Sequence, residues 1–268
     1  MLEVLKLYLD TPFGEIYLHG KVSEYVSQSI LFFVKPKNED SVSKIIAEIT
    51  LRQEDYKWVY VFYEGTSKRV YFNSILDYIN NLLSKIICQY SVGSHYVVLH
   101  GAACVYNGRT IIIIGEKGAG KTTLLLNSLK IGAEYLSDDN IIVNENNVFP
   151  LHTAIRVKNT SSIKNIVSKS YNGITYLSNE NFDLHEEAAK LPRLILQPLK
   201  SSCDDQSFHY GDCSGTGYEL LTKNLKNPYS MDTLVLSSKI FKRVLGGSLI
   251  CKVDNMNLDR LYELYNSI

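Results

Sequence analysis

Eight consecutive residues carry the densest chemistry in the chain. Gly115-Glu116-Lys117-Gly118-Ala119-Gly120-Lys121-Thr122 fits G-x-x-x-x-G-K-[ST] in full. Glycines let successive backbone N–H groups turn inward and approach phosphate oxygens closely. A helix leaving such a loop presents its positive N-terminal end to the same anion. Lys121 adds a mobile cation for the outer phosphates of ATP, and Thr122 a hydroxyl for Mg²⁺. Glu116 and Lys117 read as solvent-facing. Thr123 is a second hydroxyl at the helix start and is counted with Gly115, Gly118, Ala119, Gly120, Lys121 and Thr122 as a nucleotide-binding position. A glycine-rich turn with an accidental lysine would match the same pattern. The context argues otherwise: the isoleucine run Ile111–Ile114 leads in, and an apolar helix leads out.

Two geometric arguments bring other groups to this loop. Val97–Tyr106 and Arg109–Gly115 read as apolar strands joined by Asn107-Gly108, a strong hairpin signal because both turn residues tolerate positive φ. A two-residue turn pairs Tyr106 with Arg109 and, counting outward, His100 with Gly115. The imidazole then sits at the mouth of the loop, unless a bulge turns it to the other face. The second argument uses lengths. A helix from Gly120 to Ile131 runs about 18 Å away from the loop. The strand Ala133–Asp138 returns about 20 Å. Asp138 and Asp139 therefore land near the phosphates, on opposite faces of their strand. One carboxylate suits a general base and the other a Mg²⁺ ligand, directly or through water; a charged turn after an edge strand is the bland alternative. Arg156 and Arg193 enter or follow strands and read first as surface arginines.

The elements that must position these groups are legible in part. Residues 1–72 read as strands, with pairs Leu2–Tyr8/Gly14–Leu18 and Lys57–Tyr63/Lys68–Phe72, the latter joined by Glu64-Gly65-Thr66-Ser67. Ile75, Ile79, Leu82, Leu83, Ile86 and Ile87 form one helical stripe. The break at Ser91–Ser94 divides a small β-rich region (1–93) from a phosphate-loop region (94–268). Lys121–Lys130 is a helix with Gly132 as its C-cap. Asn140–Val143 and Leu194–Leu196 read as strands, residues 159–190 as a polar excursion, and Tyr218–Leu225 and Asp259–Ile268 as helices. The fold class is α/β.

Composition sets bounds. The chain has 268 residues, 45% apolar and 21% charged, with formal net charge zero. That is ordinary globular composition. It supplies no global basic field for nucleic acid. No apolar run is long enough to span a bilayer, and Glu3, Lys6 and Asp10 interrupt the N-terminal stretch, unlike a signal peptide. Five scattered cysteines without CxxC spacing point to reduced thiols and a cytoplasmic protein. Cys203, His209 and Cys213 lie close in sequence, but zinc spacing is absent. His152 and His185 carry no interpretable spacing.

From His100 to Val143 the chain resembles the HPr kinase/phosphorylase-like P-loop proteins. The shared features are His100-Gly101-Ala102-Ala103, a strand, the phosphate loop, a helix, and Gly-Ala-Glu-Tyr-Leu-Ser-Asp138-Asp139. The resemblance implies a fold related to phosphoenolpyruvate carboxykinase, with His100 near the γ-phosphate and Lys121 and Thr122 serving phosphate and Mg²⁺. It also implies the catalytic base in the aspartate pair, Asp138 being the preferred member. Lys117 stands where that family commonly has serine. The downstream glycine-rich signature used with HPr is missing. The layout is more similar to shorter relatives found beside modified peptides, including kinases that phosphorylate the C-terminal serine of lasso-peptide precursors. By that resemblance the β-rich region could hold a peptide or partner.

The sequence is thus read as an ATP- and Mg²⁺-dependent kinase acting on a hydroxyl, foremost a serine of a peptide or protein such as a precursor peptide. Neither nucleic acid nor membrane is expected as a partner, and a homo-oligomer is compatible with the sequence. The alternatives are a small-molecule kinase for a sugar or amino acid, and a nucleotide-dependent regulatory module without transfer. A hydrolytic NTPase fits less well, because no strand of apolar residues ends in Asp with a neighbouring Glu to activate water.

Overall fold

Alternating apolar residues build two families of sheet here, one wetted on one face and one buried on both. A computed structural model describes residues 2–33, 44–55, 57–158, 167–171, 174–198, 216–226, 231–253 and 258–268. They divide into two units: Met1–Ile87 with Thr153–Asn181, and Cys88–His152 with Phe182–Ile268. The division falls near the break read at Ser91–Ser94, while residues 153–181, which the sequence reading left in the second region, belong to the first unit.

In the first unit, β1 (Leu2–Thr11) and β2 (Gly14–Ser23) form an antiparallel hairpin. Helix α1 (Glu24–Phe33) follows, then β3 (Ile45–Gln53), β4 (Trp58–Tyr63) and β5 (Thr66–Tyr71). The sheet order is β1-β2-β3-β4-β5, with β2 and β3 parallel. Strand period two places Leu5, Leu7, Leu9, Ile16, Leu18 and Val22 in the core. The β4–β5 turn is tighter than the sequence suggested. Glu64 and Gly65 alone make it, both at positive φ, as a two-residue hairpin turn requires.

Helix α1 departs from the all-strand reading of residues 1–72. Val26, Ile30 and Phe33 are buried at helical spacing, so burial of one face overrides the β-branched and aromatic composition. Helix α2 (Ile75–Ser91) buries the expected stripe Ile75, Ile79, Leu83, Ile86 and Ile87. Part of the polar excursion, β13 (Ser168–Tyr171) and β14 (Ile174–Leu177), forms a three-stranded sheet with β12 (Ile155–Val157), which precedes it.

The second unit holds two sheets. One, in the order β15-β11-β10-β6, joins β6 (Val97–Leu99), β10 (Ile141–Val143), β11 (Asn147–Phe149) and β15 (Ala189–Lys190). The other runs β17-β16-β8-β7-β9, from β7 (Gly101–Tyr106), β8 (Arg109–Ile114), β9 (Glu134–Ser137), β16 (Leu194–Pro198) and β17 (Leu249–Val253). Helices α3 (Lys121–Lys130), α4 (Thr216–Lys223), α5 (Met231–Gly246) and α6 (Leu258–Ser267) complete the unit among the described residues.

Strand β8 runs parallel to β16 and antiparallel to β7. Ile111–Ile114 are all at most 1% exposed, which is why this strand reads as a continuous apolar run rather than an alternation. A shared core links β6, β7, β8, β10, α4 and α5 through Leu99, Ile112, Ile114, Ile141, Leu221 and Phe241. The architecture is mixed α/β. No helix among the described residues is long and apolar enough to cross a membrane.

Candidate active site

The glycine-rich loop Gly115–Thr122 sits where β8 ends and α3 begins. Gly118 and Gly120 have φ of 81° and 97°, values that glycine adopts without penalty and that turn successive N–H groups to one side. Gly120 is the N-cap of α3. The Lys121 ammonium donates to Gly115 O at 2.8 Å and Glu116 O at 3.0 Å and is only 9% exposed. The lysine therefore curls back over its own loop.

The hairpin register is the one counted from sequence: Tyr106 pairs with Arg109, and Gly101 with Ile114. His100 is one residue further out, level with Gly115. The long strand expected over Val97–Tyr106 is in fact two, β6 and β7, divided at His100. At this residue the chain leaves one sheet and enters the other, and its N–H donates to Asn224 O at 2.7 Å instead of to a neighbouring strand. The imidazole is thus placed at a sheet junction, where a strand end frees a side chain for chemistry.

Strand β9 brings in the aspartates. Ser137 pairs with Ala103 beside a bulge at Ala103/Cys104, so Asp138 and Asp139 reach the level of Ala102 and Gly101, next to His100. With β9, β7 and β8 adjacent, the aspartate pair stands about 10 Å from the loop strand, two strand spacings away. The two carboxylates then diverge. Asp138 is 5% exposed. Asp139 adopts φ 63° and is about a third exposed at its side chain. A left-handed aspartate is uncommon and tends to mark turns and functional sites. The turn is closed by Asn140 N–H donating to Asp138 O at 2.8 Å. His100 Nδ1 lies 3.4 Å from Asp139 O and 3.9 Å from Asp139 Oδ1.

Sequence reasoning missed Lys226. Its ammonium donates to Asn140 Oδ1 at 2.8 Å, and its backbone N–H donates to Val98 O at 2.8 Å. Leu225 forms a bridge with Leu99 just beside it. Burial pushes the Lys226 ammonium down from its ordinary value, while Asp139, Cys88 and Asp138 pull it back up. The His100 imidazole is pushed down first by burial and then by the Lys121 and Lys226 charges; Asp139 opposes them. Two ammonium groups, one imidazole and two carboxylates therefore share one electrostatic neighbourhood. No motif spacing in the sequence hinted at this.

Thr122 and Thr123 follow Lys121 in the first turn of α3. The donor set of Thr122 hydroxyl and Asp139 carboxylate is all oxygen, which suits Mg²⁺ rather than a softer ion. The positive-φ glycines and the helix start fit a polyphosphate. Nucleotide and metal are thus compatible with the residues present.

The arginines do not join this cluster. Arg193 immediately precedes β16 at the far end of the sheet: its N–H donates to Thr110 O, about five residues or 17 Å of strand from Gly115. Arg156 pairs with Asp77 Oδ1 at 3.2 Å, within the first unit, and Asp77 also accepts the Tyr176 hydroxyl. His185 Nδ1 sits 2.6 Å from Glu134 Oε2, and His152 Nε2 is 3.1 Å from His185 O, which makes them structural. Cys203, His209 and Cys213 lie outside the described residues; no cluster of metal-ligating side chains occurs among the described ones.

No protein-family model matches the chain, and no curated protein matches it. Among solved structures, the HPr(Ser) kinase/phosphatase from Coxiella burnetii aligns over 63% of this chain and 88% of that one, at 15% identity and a TM-score of 0.29. A likeness at that TM-score carries no argument, so the reading of the site stands on the residues above.

Proposed function

We propose that this protein is an ATP- and Mg²⁺-dependent kinase that phosphorylates a hydroxyl, foremost a serine of a peptide or protein such as a precursor peptide, in the cytoplasm. What supports the reading is that His100, Asp138 and Asp139 follow or precede strands adjacent to the one entering the Gly115–Thr122 loop, with the Lys226 ammonium bound to neighbouring Asn140. ATP would supply the phosphoryl group, and a bound Mg²⁺ would neutralise charge on it.

The chain's own residues have separable tasks. Backbone N–H groups of Gly118–Thr122 and the α3 N-terminus hold phosphate oxygens. Lys121 releases its carbonyl partners to contact the outer phosphates. Asp138, buried and set in a strand-end turn, accepts the proton of the acceptor hydroxyl as its oxygen bonds to the γ-phosphorus. The bond from that phosphorus to the bridging oxygen breaks, and its electron pair leaves with ADP. Asp139 and Thr122 offer oxygens to the metal. His100, which burial and then the Lys121 and Lys226 charges push toward its neutral form, offers one hydrogen bond to the transferred group. Lys226 compensates the aspartate pair and fixes Asn140, and through it the turn.

The test is direct. Purified protein incubated with γ-labelled ATP and a serine-ended peptide should yield labelled peptide. ATP bound without transfer to any hydroxyl acceptor would overturn the reading.

A further inference from the structure

The outer face of the N-terminal sheet is built unlike an ordinary solvent face. Register places Leu2, Val4, Lys6 and Tyr8 of β1 on the same side as Tyr17, His19 and Lys21 of β2, and as Thr50 and Arg52 of β3. Leu2 and Val4 are 54% and 66% exposed. On this face lies a groove of about 570 Å³, lined by Leu2, Val4 and Tyr17 together with Lys6, Lys21 and Arg52. No Asp or Glu is among its lining residues. Three cations therefore converge on an apolar trough.

The floor is rigid. Tyr8, Tyr17 and His19 stack in succession, with ring centroids 4.6 Å apart at each step. His19 Nε2 is held 2.6 Å from Glu48 Oε1 and 3.0 Å from Thr50 Oγ1. Gly20 lets β2 and β3 approach, for a Cβ there would meet Leu51 O at 1.8 Å. A preformed floor reduces the ordering cost of binding.

We propose that this groove binds an acidic, extended peptide segment of a partner protein, whose carboxylates meet Lys6, Lys21 and Arg52 and whose apolar side chains cover Leu2, Val4 and Tyr17. Charge complementarity selects an anion. The shape of the charge selects a short acidic stretch over a nucleic acid. Asp10 is exposed near the turn of the β1–β2 hairpin, and exposed Glu48 stands beside His19, so a continuous phosphate backbone would run from cations onto carboxylates. Strand β1 is also an outer strand of its sheet, and an extended segment can add its main-chain hydrogen bonds there. The inference does not rest on phosphoryl transfer.

Fluorescence anisotropy of the full chain tests it, with a labelled peptide alternating Glu with Leu and Tyr as probe. The same peptide with Lys for Glu, and oligothymidylate, are the rivals. The acidic peptide should bind, weaken with added salt, and lose at least about tenfold in affinity in the double variant Lys6→Glu/Lys21→Glu. Both positions are exposed, so circular dichroism should show an unchanged fold, and the separate change Arg52→Glu should weaken binding likewise. Failure of the acidic peptide to bind, equal binding of the basic peptide, tighter binding of oligothymidylate, or indifference to charge reversal in folded variants would each overturn the proposal.

Discussion

The two units place their chemistry on different parts of a β-sheet. In the second unit the polar groups collect at strand ends: His100 lies between β6 and β7, β8 runs out into Gly115, and β9 runs out into Asp138, while the strands themselves are largely buried on both faces. In the first unit the polar and aromatic groups lie on the sheet surface, and strand ends are ordinary turns. Strand ends concentrate backbone donors and let side chains converge on one point, which suits reaction with a small charged group. A sheet face spreads side chains at fixed spacing over a trough, which suits recognition of an extended ligand.

The largest expected effect tests the strand-end side of that contrast. Asp138→Asn should lower phosphoryl transfer by about 10²–10⁴-fold, the usual worth of a general base. Nucleotide affinity measured by calorimetry should stay within a factor of a few, because the loop amides are untouched. Equal loss of binding and turnover would instead make Asp138 a structural residue of the turn.

A second change separates the units. Gly20 is at φ 155°, and its Cβ would meet Leu51 O at 1.8 Å. Gly20→Ala should destabilise the first unit by about 3 kcal/mol or more, since neither backbone can yield without breaking the β2–β3 pairing. Thermal unfolding should show it. ATP affinity should survive; if it falls in step, the contrast between the units is one of location and not of independent folding.

What the sequence made legible follows the same divide. The strand–loop–helix around Gly115–Thr122, the Tyr106–Arg109 turn and the strand leading into Asp138 were readable because each depends on neighbours a few residues away. Lys226 was not, because it reaches the site from behind a segment with no motif and is fixed by Asn140 and Val98, remote in sequence. The division of β6 from β7 at His100 was hidden for a similar reason: Val97–Leu99 and Gly101–Tyr106 are both apolar, and only their different sheets distinguish them. Helix α1 was hidden by strand-favouring residues. The groove of the first unit has ordinary alternation in each strand, so its cations appear together only once three strands are in register.

A smaller effect concerns how α3 is held. Ser128 Oγ lies 2.6 Å from the Tyr265 hydroxyl and 2.9 Å from Leu124 O, joining α6 to the phosphate-loop helix. Cys104 lies against the same pair, and burial pushes its thiol up to about 12. Tyr265→Phe removes one buried hydroxyl partner and should cost about 1 kcal/mol in chemical denaturation. Ser128 keeps Leu124 O, so transfer activity should change little. A large loss of activity would mean that α6 tunes the loop as well as supporting it.

The smallest expected effect is a pH slope. His100 has a folded-state value below its ordinary one, chiefly from burial, with Lys121 and Lys226 adding to it. In the window below an ordinary histidine value of about 6.5, the unfolded chain binds a proton that the folded site resists. More protons bound in the unfolded state means that stability rises with pH there, and falls as the solution is acidified. His100→Asn removes this contribution while keeping a hydrogen-bonding group, so the variant's melting temperature should depend less steeply on pH below neutrality than that of the parent. Identical slopes would show that the imidazole is protonated freely in the folded protein. The arrangement of two ammonium groups around a neutral histidine would then lose its physical basis, and the strand-end site would be less tightly gathered than the sheet-face groove with which it is contrasted.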